Sequence, residues 1–316
     1  VEVGAKTFQE MWAASSETPN LSRARSDSVI AKMEADKLPG RLPGQPCLIP
    51  NAPHAQLDTA LGGCMSISFS NKGQLLAAAC RDELLYTIEI FDTATWECIL
   101  TLNAHHDIIY DLNWSADDLF LISASSDSTA KIWSMSPSSL YKKLQHTSIV
   151  YCAKIHPTSG APRLVATGGY DRGPGLWNMD TGVLLREIAG HAGHINCLIF
   201  NRDGAKLYSA DSVGVIKAWN SRPSDFSTSI KTAGYQCFRS VSEPELRGES
   251  IISLDIHPNE RRLIVHSQDN LIRALDTRVF NVSTRYAGSQ SSTYYAIKSK
   301  FSPDGKYELA GSEDGK

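Results

Sequence analysis

A tryptophan recurs at nearly equal intervals, and that spacing restricts the fold more than any other feature. Trp133, Trp177 and Trp219 close the segments STAKIW, GPGLW and VIKAW, 44 and 42 residues apart. Upstream of each stands a histidine, His105, His146 and His191, at intervals of 41 and 45 residues. Nine residues after each histidine comes an apolar residue, Trp114, Ile155 or Phe200, followed by a polar turn (SADD, HPTSG, NRDG). The same register continues at Phe69, Ile256 and Phe301, so the successive spacings are 45, 41, 45, 56 and 45. The long interval holds a polar insertion within 220–247. A period of about 40–45 residues, made of short β-rich runs and turns, predicts propeller blades of four short strands each. In the second unit the strands are expected at 108–114, 119–125, 129–134 and 140–145. Inner runs such as LFLISAS are apolar on both sides, as blades stacked on both faces require. Ile109 falls three residues before Leu112, so the alternation slips by one. That slip predicts a bulge at the top of the inner strand.

The repeats resemble the WD-repeat pattern over about 60–316, with five complete units and half of a sixth. The expected fold is all-β, a WD-repeat β-propeller of seven blades with the last blade or blades incomplete in this chain. The fit is uneven. The fourth unit has Val213 where Asp is usual. The fifth has Leu275 for Trp and Arg247 for His, and the first has Phe91 for Trp. Residues 1–37 read as a flexible linker with one short helix near Val29–Met33, and 38–316 as the partial propeller. The arm LPGRLPGQP leads to CLIPNAPHAQLDT, which is expected to supply the outer strand of the closing blade and so remove two exposed edges.

Composition narrows the function class. The formal net charge is −3, so no basic excess favours direct nucleic-acid contact. No apolar run approaches the roughly 18 residues of a membrane span, and no secretory leader is visible at the start. Seven cysteines without a CxxC pair read as reduced thiols in the cytoplasm, with no structural zinc.

Ser123, His105 and Asp127 are the residue types of a hydrolase triad. The constellation recurs at the repeat period, however, with Thr replacing Ser and with Asp sometimes absent, and no GxSxG elbow accompanies it. A structural network is therefore expected, running carboxylate to imidazole to hydroxyl to indole. Its members are His105, Ser123, Asp127 and Trp133 in the second unit, and His146, Thr167, Asp171 and Trp177 in the third. The fourth supplies His191, Ser209 and Trp219, with no Asp. The pair His105–His106 is not read as a metal site, and RGPG at Pro174 is read as local drift in a strand rather than a phosphate loop. No catalytic, cofactor or metal site is expected. Partner contacts are expected on the rim where the inner strands begin, at Met65, Tyr110, Tyr151, His194, Asn196 and Tyr295. Arg81, Ser126, Tyr170 and Glu313 join them just before the turn Asp position. Their aromatic content suits a peptide-binding surface.

The segments HHDIIYDLNWSADDLFLISASSDSTAKIW, HTSIVYCAKIHP, HINCLIFNRDG and SIISLDIHPNERRLIVHSQDNLIRALDTR resemble the jouberin family of ciliary WD-repeat proteins. The shared departures, Asp211 beside Val213 and ALDTR without Trp, are more specific than the repeat itself. The likeness runs over about 38–316. It implies a non-enzymatic scaffold at the transition zone or basal body of the cilium, supporting ciliogenesis. The implied partners are transition-zone components, nephrocystin-type proteins and a Rab GTPase linked to vesicle delivery. The alternative is a general WD-repeat adaptor, of the ubiquitin-ligase or chromatin type.

Overall fold

The computed structural model describes residues 47, 56–57, 63–82, 85–158, 163–221, 235–287 and 297–311. Among these, all regular elements are strands, in five four-stranded antiparallel sheets and one two-stranded sheet. Blade one holds β1 (Cys64–Phe69), β2 (Leu75–Asp82), β3 (Leu85–Asp92) and β4 (Cys98–His105). Blade two holds β5 (Ile109–Trp114), β6 (Phe120–Ser125), β7 (Thr129–Met135) and β8 (Ser138–Gln145). Blade three holds β9 (Val150–Ile155), β10 (Leu164–Gly169), β11 (Gly175–Asn178) and β12 (Leu184–Glu187). Blade four holds β13 (Ile195–Phe200), β14 (Lys206–Asp211), β15 (Ile216–Asn220) and β16 (Cys237–Val241). Blade five holds β17 (Ile251–Ile256), β18 (Arg262–Ser267), β19 (Leu271–Asp276) and β20 (Val282–Ala287). The two-stranded sheet, blade six, pairs β21 (Ser299–Phe301) with β22 (Glu308–Ala310).

Every blade is a meander in sequence order, and the inner strands β1, β5, β9, β13, β17 and β21 lie beside one another in turn. This is a β-propeller. Most of its core lies between blades. Ile88, Ile90 and Leu102 of blade one pack on Leu112, Trp114 and Leu121 of blade two. Ile122 and Ile132 meet Ile155 and Trp177 across the next joint. Such double-sided burial explains the near-continuous apolar runs of the second strands.

The turns after the inner strands clasp successive blades. Asn71 of blade one donates from its backbone and side chain to the Asp118 carboxylate of blade two, at 2.7 and 2.8 Å. His156 Nε2 lies 3.0 Å from the Gly204 carbonyl, and His257 Nε2 lies 3.0 Å from that of Gly305. Both glycines sit at positive φ, and a Cβ there would stand 2.2 and 2.3 Å from the facing imidazole. Backbone conformation and close approach thus both demand glycine at these turns.

The bulge expected at Ile109 is present and recurs. The register slips between Cys64 and Ser66, Ile109 and Asp111, Ile195 and Cys197, and Ile251 and Ser253. In blade three, Val150 and Cys152 face consecutive residues of β10, leaving Tyr151 as the extra residue. The third strand of that blade is short, four residues against seven in β7. Pro174 precedes it and has no N–H to extend the ladder, while its carbonyl still accepts from Ile188 N at 2.8 Å. The 220–247 insertion contains the outer strand β16, which lies past residues 222–234.

The linker 1–37 and nearly all of the closing-strand segment lie outside the described residues. Cys47 of the arm is described, and its backbone N–H donates to Asp304 Oδ2 in the blade-six turn at 2.8 Å.

Candidate protein-interaction site at the channel mouth

In blade two the hydroxyl, imidazole, carboxylate and indole meet as a closed relay. His105 Nδ1 lies 2.8 Å from Asp127 Oδ2, and Nε2 lies 2.7 Å from Ser123 Oγ. Trp133 Nε1 donates to the same Oγ at 3.0 Å. One proton arrangement satisfies all four groups. Nδ1–H donates to the carboxylate, the serine O–H donates to Nε2, and Oγ accepts the indole N–H. Thr129 Oγ1 donates to Asp127 Oδ1 at 2.5 Å and pins the carboxylate. Burial pushes the Asp127 carboxyl up, but its bonds to His105 and Thr129 outweigh this and hold it below the usual range. Ser123 is 0% exposed, so its hydroxyl faces neighbours rather than a substrate.

Blade four corrects the expectation that its Asp is missing. His191 Nδ1 lies 2.8 Å from Asp211 Oδ2, its Nε2 lies 2.7 Å from Ser209 Oγ, and Trp219 Nε1 donates to that Oγ at 2.8 Å. Asp211 stands two positions before Val213, on the end of β14 rather than in the turn. The carboxylate reaches the same imidazole from there, with its other oxygen accepting Val213 N and Val215 N.

Blade three departs in the other direction. Trp177 Nε1 donates to Thr167 Oγ1 at 2.8 Å, as expected. His146 and Asp171 do not join them. His146 Nε2 is buried without a partner, its ring tilted on Trp177 at 4.8 Å, and Asp171 accepts from Thr147 Oγ1 instead. Gly173 occupies the place of Thr129, so the hydroxyl that pins Asp127 has no counterpart. In blade five Arg247 is exposed and does not replace the histidine. The buried Arg273 does, donating to Ser267 Oγ at 2.8 Å and Asp269 Oδ2 at 2.5 Å. A pattern emerges across blades. At the position of Ser123 a hydroxyl is present in blades two, three and four, whose third strands carry Trp, and absent in blades one and five. Ala78 accompanies Phe91, and Val265 accompanies Leu275.

Burial holds His105, His146, His156 and His266 below the ordinary imidazole value of 6.5, His146 down to about 4. The unfolded chain therefore binds more protons between roughly pH 6.5 and 4, and stability rises with pH across that window. Urea midpoints should fall as the pH is lowered through it. His146→Phe should make the fall shallower and cost under about 1 kcal/mol at neutral pH, because it removes a buried atom that has no partner. An unchanged slope would show that His146 titrates as in the unfolded chain.

The inner strands line a channel of about 460 Å³. The bulges decide what lines its mouth. Met65, Tyr110, Tyr151, Asn196 and Ile252 are the extra residues of the five bulges, and all five line the channel. A bulge re-aims one side chain out of the alternation, which here turns these residues inward. Tyr110 and Tyr151 meet edge to face with centroids 5.3 Å apart, and Tyr170 stacks on His194 at 4.2 Å. Tyr170 is 52% exposed. His194 also lines the channel, whereas Arg81, Ser126 and Tyr170 stand outside it. Burial raises the Tyr110 phenol, and the Ser126 side chain partly offsets it. Tyr295 and Glu313 lie outside the described residues.

Deeper in the channel is a charge cluster absent from the sequence expectations. Asp111 of β5 accepts Lys154 Nζ from blade three at 2.7 Å and Lys298 Nζ from blade six. Burial pushes the Asp111 carboxyl up, but the two ammonium groups outweigh it and hold it well below the carboxylate range. The available signal was an Asp within the inner-strand run IYDLNW.

Among the described residues, no cluster of His, Cys, Asp and Glu could hold a metal, and no helix is long and apolar enough to cross a membrane. The WD domain, G-beta repeat family matches residues 96–134 and 182–220. Jouberin of Mus musculus is 35% identical over 87% of this chain and 26% of its own length. Jouberin of Rattus norvegicus is 34% identical over the same shares. Pre-mRNA-processing factor 17 of Homo sapiens is 22% identical over 87% of this chain and 45% of its own length. The chain thus spans about a quarter of the length of the jouberins it matches.

Proposed function

Because the chain is a jouberin-like WD-repeat protein, we propose that it is a non-enzymatic scaffold that organises protein assemblies at the base of the cilium. The extent of the likeness carries this reading, since 87% of the chain aligns with jouberin. The buried hydroxyls support a scaffold over a hydrolase, because Ser123 and Ser209 are spent on indole and imidazole partners. The docking surface proposed is the bulge-built mouth, with Tyr110, Tyr151, Tyr170 and His194 as aromatic anchors for a peptide segment of a transition-zone protein. Tyrosine combines apolar area with a polar tip and is enriched among residues that dominate binding.

A tagged copy of the protein expressed in ciliated cells should collect at the transition zone or basal body. Absence from the ciliary base would favour the general adaptor instead. Tyr110→Ala combined with Tyr151→Ala should weaken partner capture roughly tenfold or more, with the melting temperature close to wild type. Full capture by the folded double variant would remove the mouth from consideration.

A further inference from the structure

We propose that Cys64 and Cys80 are a hydroperoxide-responsive dithiol that closes to a disulfide across the top of blade one. The two residues are direct partners on antiparallel neighbours, Cys64 opening β1 and Cys80 near the end of β2. Partners across a ladder point to the same face, at a separation that one S–S bond can span. Their environments differ. Cys64 is exposed and Cys80 is buried. Cys80 Sγ–H lies 3.7 Å from Glu89 Oε2, and Cys64 Sγ lies 3.4 Å from the Ser66 carbonyl.

The neighbouring Cys80 side chain lowers the Cys64 thiol, against a smaller upward push from burial, and Cys64 together with burial raises Cys80. Cys64 is the exposed sulfur and the one whose thiol is lowered, so it is the nucleophile of the pair. Its thiolate attacks one oxygen of hydrogen peroxide, the O–O bond breaks, and the leaving hydroxide takes a proton to give water and Cys64 sulfenic acid. The Cys80 sulfur then attacks the sulfenic sulfur. The S–O bond breaks, the Cys80 proton passes through Glu89 to the departing hydroxide, and a second water leaves. Two thiols and one peroxide become one disulfide and two waters.

The closure would sit beside Met65, the bulge residue at the channel mouth, so oxidation of this pair would stiffen one edge of that mouth.

The purified chain should be treated with hydrogen peroxide, alkylated with iodoacetamide, digested and analysed by mass spectrometry. The expected product is a Cys64–Cys80 linked peptide, with both thiols lost to alkylation together while the exposed Cys98 and Cys237 remain available. Cys80→Ser should stop at a Cys64 sulfenic acid that dimedone traps, and Cys64→Ser should leave Cys80 reduced. Absence of the linked peptide, equal oxidation of Cys98 and Cys237, or oxidation of Cys80 in the Cys64→Ser chain would each overturn the proposal.

Discussion

Asp111→Ala is expected to cost about 3 kcal/mol, because it removes a buried carboxylate shared by two half-buried ammonium groups. The Asp111 side chain is 4% exposed and holds Lys154 and Lys298 at once. Coulomb attraction at such distances is strong only away from bulk water, and this cluster sits below the aromatic mouth of the channel. It ties blades two, three and six. The pH dependence follows from the depressed carboxyl. The native carboxylate is favoured, so its contribution is full above the ordinary aspartate value of 3.8 and is lost as the pH falls through the lower folded value. Denaturant unfolding of the wild type and Asp111→Ala at neutral pH tests the magnitude. A difference below about 1 kcal/mol would mean that channel water screens the cluster like a surface pair. Replacing all three residues with apolar ones of similar size should recover most of the loss, since the penalty arises from unpaired charge rather than from the absence of an ion pair.

Ser209→Ala is the second large effect, expected at roughly 2–4 kcal/mol, because one small deletion strands two buried groups at about 1–3 each. His191 Nε2 loses its donor and Trp219 Nε1 loses its acceptor. Ser209 is 0% exposed, so bulk water does not reach these groups in the native fold. Adding Trp219→Phe should recover part of the hydrogen-bond loss, although it removes ring volume. The double variant should therefore lose less than the sum of the two single changes, and a double-mutant cycle by denaturant unfolding measures the coupling. Strict additivity would show that the hydroxyl and the indole do not depend on each other. The chain already contains the apolar solution twice, as Ala78 with Phe91 and as Val265 with Leu275.

Much of the fold was legible because a repeat writes the same constraint several times. The spacing of Trp133, Trp177 and Trp219 placed the third strands, and the strands expected in the second unit agree with β5 to β8 within a few residues. The slip between Ile109 and Leu112 announced the bulge. The network was legible where residue and register agreed, as at His105, Ser123, Asp127 and Trp133. It was misread where the chain kept the chemistry and moved the residue. Asp211 serves His191 from a strand end instead of a turn, and Arg273 serves blade five from the third strand. Asp171 shows the reverse. It stands at the expected position, but the hydroxyl that would hold it has become Gly173, and it turns to Thr147.

By itself the sequence determined the repeat, the strand pattern within each blade and the positions of the buried tryptophans, because these follow from local periodicity and side-chain size. Only the tertiary structure decided which residues share the channel. Lys298 and Asp111 are 187 positions apart and meet because the curvature of the propeller brings blade six back toward blade two. Five bulge residues became one surface for the same reason. A propeller turns distance along the chain into an angle around an axis, and no local pattern records which side chains that rotation sets face to face.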